Sequence, residues 1–159
     1  MQPGDLLLRP PVLIALAVVL LNDRVLKASY GNVLTGKLSD VAGVFVLPLV
    51  MVSAVELARW ALKRPAWPAS RTEVVLAIAI TAIGFAAVKM IGPIGDAYAE
   101  AVGMLRAGIA SLVHWELRPV VPIEVIRDWS DVLVLPVLAG TWLCARTRNE
   151  GAASRRAAT

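Results

Sequence analysis

The chemistry open to this chain rests on Asp23, Lys27, Lys37, Asp40, Lys89, Arg127, Asp128 and Asp131. Each lies within or beside an apolar stretch, where a charge is costly unless it is paired or faces an interior. Such a set could work in three ways. Carboxylates could move protons while a cation holds a phosphate. The cations could hold an anionic group without reacting. Or the charges could simply close helix ends through caps and ion pairs. Asp23 and Lys27 are four residues apart and share a helix face, so they can pair. Lys89 needs a carboxylate, and Asp40 or Asp131 is the nearest by topology.

Other chemistries have less to build on. His114 is the only histidine, which removes a histidine-based metal cluster or triad, and Cys144, the only cysteine, reads as a packing residue. Ser39-Asp40 and Ser130-Asp131 suit helix caps better than nucleophiles, since no base adjoins them. Asp40, Asp128 and Asp131 have the donor type that Mg²⁺ or Ca²⁺ takes, but no metal ligand set or cofactor is expected. Glycine-rich phosphate loops and nucleic-acid patches are missing, so no nucleic-acid partner is expected.

The elements that must position these residues follow from composition. The chain has 159 residues, enough for one domain, and 58 % of them are hydrophobic. A soluble globule of this size leaves too much surface in water to hide so much apolar material, so lipid is the natural solvent. The pattern predicts an all-α polytopic membrane protein. Four transmembrane helices are expected, at 10–29, 39–62, 72–92 and 129–145, in a single membrane domain over 1–145. A basic, disordered tail over 146–159 completes the chain. The apolar run at 13–21 lacks a basic start and a small-residue cleavage site, so it reads as a retained helix.

A spanning helix needs about 20 residues. The uninterrupted apolar runs, 12–21, 41–55, 74–88 and 132–145, are shorter, so each span reaches full length only by taking in polar or ionisable residues at an end. Pro10-Pro11 can open the first helix, Ser39-Asp40 can cap the second, and Gly92-Pro93 stops the third. Between the third and fourth, Tyr98, Val102, Leu105, Ile109 and Leu112 fall on one helical face, with Asp96, Glu100 and Arg106 off it. This predicts an amphipathic helix at about 94–115 that lies on the membrane or caps the bundle. Residues 118–127 then return in an extended form.

With four spans, the termini and the loop containing Lys63, Arg64 and Arg71 share one side. Concentration of Lys and Arg in that short loop and in the tail places both termini in the cytoplasm of a bacterial inner membrane. The eight charges above then gather at the extracytoplasmic end. Ser39-Asp40-Val41 and Ser130-Asp131-Val132, each followed by Val-Leu-Pro, suggest a parallel duplication of two hairpins. Pro48 and Pro136 should bend their helices, and Gly43, Gly84 and Gly140 offer close helix contacts.

The run Leu21-Asn22-Asp23 with Leu26-Lys27, then Thr35-Gly36-Lys37-Leu38-Ser39-Asp40 with Ala42-Gly43, resembles uncharacterised bacterial four-helix integral membrane proteins. Phe85 with Lys89 and Asp128 with Asp131 fit the same pattern, with Val132 where those proteins have leucine. The resemblance implies a shared fold and a shared polar end, and no activity. A far weaker likeness to VanZ-like proteins runs from Glu116 to Gly140, without the histidine element of that family.

Three functions follow from these residues. The first is a non-enzymatic membrane protein, either an accessory subunit or a binder of a lipid headgroup or other anionic ligand at the charged end. The second is an enzyme acting on a lipid-linked substrate at the outer leaflet, with Asp40 and Asp131 as acid and base. The third is a small oligomeric transporter. The bilayer is a partner in all of them, and a second membrane protein or a second copy in the first and third.

Overall fold

The second apolar segment forms helix α3, Val33–Ala61, which begins six residues before the expected cap at Ser39. Ser39 and Asp40 therefore lie inside the helix, and the expected capping role is corrected. Gly36 costs a helix interior only about 1 kcal/mol, and the Ser39 hydroxyl is used in packing, as described below. In the computed structural model the described residues are 2–30, 33–64, 68–126 and 128–157, apart from the side chains of 23, 27, 28, 33 and 149–157. Helix makes up 82 % and no strand occurs among the described residues, as an all-α class requires.

By its contacts the chain divides into two compact units, Met1–Ala82 with Leu133–Thr159, and Ile83–Val132. In the first unit, a 3-10 turn at Asp5–Leu8 leads into α1, Pro10–Leu21, whose prolines occupy the first helical positions. A π turn, Asn22–Leu26, continues into the short α2, Lys27–Tyr30. Gly4 opens the turn at φ 80°, and a Cβ there would meet the Leu57 side chain at 3.5 Å. The core of this unit is made by Leu6, Val12, Val46, Leu49, Val52 and Val74, among others.

Helix α4 runs from Arg71 to Met90. Its start is a reciprocal capping box: Ser70 N–H donates to Glu73 Oε2 at 2.7 Å, and Glu73 N–H donates to Ser70 Oγ at 3.2 Å. Glu73 also pairs with Arg59 at the end of α3. The second unit takes the last turns of α4, then α5, Gly92–His114, after a single extended residue, Ile91. α4 thus ends two residues before the expected Gly92, Gly92-Pro93 open α5, and the helix expected at about 94–115 runs from 92 to 114. Residues 117–126 return without regular structure.

The last apolar segment differs most from expectation. Trp129–Val137 is a 3-10 helix, and α6 begins only at Leu138 and continues to Ala157. Pro136 has no N–H for the α ladder and its ring crowds the preceding turn, so α-helix resumes only beyond it. Ser130-Asp131 is therefore 3-10 where Ser39-Asp40 is α, and the proposed repeat has no common backbone. The tail expected to be disordered from Arg146 continues as helix. A Cβ added at Gly140 would touch the Phe45 ring at 3.4 Å, but one at Gly43 or Gly84 would meet nothing within 4 Å. Close packing through glycine is thus realised at Gly140 and not at the other two.

Two helices, Leu34–Ala61 and Arg71–Met90, are long and apolar enough to cross a membrane. The first expected span is helical throughout, α1 passing through the π turn into α2, and the fourth joins the 3-10 helix to the start of α6.

Candidate functional site

Lys89 sits one residue before the end of α4, and its ammonium reaches Asp131 Oδ2 at 2.6 Å and the Ile126 carbonyl at 3.3 Å. Phe85, one turn earlier on the same face, places its ring centroid 5.6 Å from the ammonium. Of the two carboxylates the sequence offered Lys89, the structure selects Asp131. Both side chains are close to sealed, with 11 % of Lys89 and 7 % of Asp131 exposed. Asp131 is aimed by a local turn: Asp128 Oδ1 accepts Ser130 N–H at 2.8 Å, and the Asp128 carbonyl accepts Asp131 N–H at 3.0 Å. The result is a clasp that ties the end of α4 to the start of the 3-10 helix.

Lys37 and Asp40 belong to the first unit, half-buried on α3. The side chains of Asp23 and Lys27, and all of Arg127, lie outside the described residues. Among the described side chains, Lys89, Asp128 and Asp131 are brought together in the second unit. Among the described residues, no three His, Cys, Asp or Glu side chains gather as a metal would need.

The first unit holds two polar groupings that the sequence reading did not single out. Asn22, fully buried in the π turn, donates its Nδ2 to the Thr35 carbonyl and to Ser39 Oγ, each at 2.7 Å. Its Oδ1 has no hydrogen-bond partner among the described residues. These bonds hold the π turn against the first turns of α3 and give the Ser39 hydroxyl a partner.

The second grouping centres on Glu56. Its Oε1 accepts Ala69 N–H at 2.8 Å and Arg148 Nη2 at 2.5 Å, and its Oε2 accepts Gly4 N–H at 3.2 Å and Arg148 Nη1 at 3.0 Å. Arg148 also reaches Asp5 at 3.4 Å. Glu56 is 0 % and Arg148 2 % exposed, so one buried ion pair fastens the N-terminal turn, α3, the chain before α4, and α6. Arg9 adds bonds to the Cys144 carbonyl at 2.9 Å and to Thr147 Oγ1 at 2.6 Å. A signal was present in the sequence: Glu56 is the carboxylate inside the second apolar segment, with Ser53 one turn before it on the same side.

Chemically, these arrangements are closed. Arg9, Arg59, Lys89 and Arg148 each face a carboxylate or carbonyl at bonding distance, and in a poorly hydrated setting breaking a buried pair is costly. Such pairs fix the geometry of the helices that carry them. In comparison with known proteins, the chain matches no family model, no curated protein and no solved structure.

Proposed function

We propose that this chain is a multi-pass protein of a bacterial inner membrane, both termini cytoplasmic, that works by association as an accessory subunit. The Lys89–Asp131 clasp carries this reading. An anion bound at Lys89 would have to displace a carboxylate held at 2.6 Å with both side chains nearly buried, and breaking such a buried pair costs about 3–5 kcal/mol. Lys89 and Asp131 are therefore spent on holding the second unit together. What α4 offers other molecules is apolar surface: Val75, Leu76, Ile80 and Ile83 are all exposed. Such a face suits lipid and a neighbouring membrane helix, where association depends on shape and not on charge.

Native mass spectrometry of the gently extracted protein, beside Lys89→Met, tests the proposal. A protein bound in fixed ratio to the wild type supports it. A lipid or small anion held by the wild type and lost from Lys89→Met would overturn it in favour of a charged binding pocket. A bare chain in both samples would also contradict the accessory role.

A further inference from the structure

The helix-facing pattern of α5 is the reverse of what a bundle-capping helix needs. At 100° per residue, Gly95, Ala99, Gly103 and Ala107 fall along one face, and these small residues are the buried ones. The chain's own return segment packs on them. Ile123 N–H donates to the Ala99 carbonyl at 3.3 Å, and a Cβ at Gly103 would lie 2.6 Å from the Val121 carbonyl oxygen. The charged Asp96, Glu100 and Arg106 flank this covered face, all exposed. On the opposite face Leu105, Ile109 and Leu112 point outward, with Leu112 75 % exposed. The chain has thus covered the small, charge-flanked face and left the large apolar one bare.

Within this unit, α5 starts one residue after the end of α4, a helix long and apolar enough to cross a membrane. Its first turn therefore lies at the level where such a span would leave the hydrocarbon. The adjoining Trp115 is 93 % exposed and Trp129 75 %, and tryptophan favours the headgroup level because its ring is apolar and its N–H polar. Those features name the occupant. We propose that α5 lies in the plane of the bilayer interface, its Leu105–Ile109–Leu112 face sunk into lipid and its charged flanks turned to water. The inference rests on the membrane reading above, but not on an accessory role.

Single spin labels in proteoliposomes of phosphatidylethanolamine and phosphatidylglycerol provide the test, in a Cys144→Ala background. Labels at Leu105→Cys, Ile109→Cys and Leu112→Cys should collide more with oxygen, which concentrates in lipid, than with a water-soluble nickel chelate. Labels at Glu100→Cys and Arg106→Cys should show the opposite ratio. All five positions are exposed or surface-flanking, so labelling leaves the packed face intact. Nickel dominating at the three apolar positions would put that face in water, and shielding from both reagents would put it under protein; either result overturns the proposal. A label at Ile80→Cys on α4 separates the two levels. Oxygen access there with failure at α5 defeats the interfacial helix alone, and failure at both defeats the membrane reading.

Discussion

Replacing Arg148 by methionine keeps most of the side-chain volume and removes its charge. Glu56, fully buried, would lose both guanidinium contacts, at 2.5 and 3.0 Å, and keep only the Gly4 and Ala69 amides. Two backbone donors do not offset a buried carboxylate, and breaking one side of such a pair costs about 3–5 kcal/mol. Adding Glu56→Gln removes the stranded charge. The glutamine oxygen can still accept Ala69 N–H, and the main residual defect is the Gly4 amide facing a donor, worth about 1–3 kcal/mol. The double variant should thus be more stable than Arg148→Met alone. Reversible unfolding in mixed SDS micelles, followed by tryptophan fluorescence and arranged as a double-mutant cycle, reads both quantities. A loss below about 1 kcal/mol for Arg148→Met, the value for a solvated surface pair, would refute the reasoning. So would a double variant no better than the single.

Two further changes probe the remaining polar and close-packed contacts. Asn22→Leu removes the bonds to Thr35 and Ser39 and should cost about 1–3 kcal/mol in the same titration; Asn22→Asp should cost more, because an oxygen then faces the Thr35 carbonyl at the 2.7 Å now spanned by Nδ2. Gly103→Ala forces a Cβ to 2.6 Å from the Val121 oxygen. It should push the return segment away, cost about 1–3 kcal/mol, and speed hydrogen exchange at Ile123, whereas unchanged exchange there would deny that α5 holds this segment.

The sequence made some of this legible because the responsible signals are local. The break near Gly92-Pro93 depends on one proline, and the α5 period on residues three and four apart, so the structure has a helix boundary within two residues of Gly92 and a helix at 92–114. The partner of Lys89 was narrowed to two carboxylates, one of which is bonded. What escaped depends on contacts distant along the chain. Ser39 looks like a cap, but Asn22, 17 residues away, takes its hydroxyl, and α3 starts earlier. Arg148 looks like one more tail charge, yet Glu56, 92 residues away, draws it into the interior. For α5 the sequence shows the apolar face, but not that the face opposite it is the covered one, because the small residues there admit backbone more closely than any large side chain could.

The central claim is that Lys89 and Asp131 form a clasp and not a ligand pocket. The direct measurement is the charge exchange Lys89→Asp with Asp131→Lys, compared with each single change for stability and for retention of the bound protein in native mass spectra. A clasp needs only opposite charges, so the exchange should recover much of the stability lost in either single variant and keep the partner. A pocket needs the cation on α4. An exchanged protein as impaired as Lys89→Asp alone, or one that sheds a lipid or anion held by the wild type, would contradict the account.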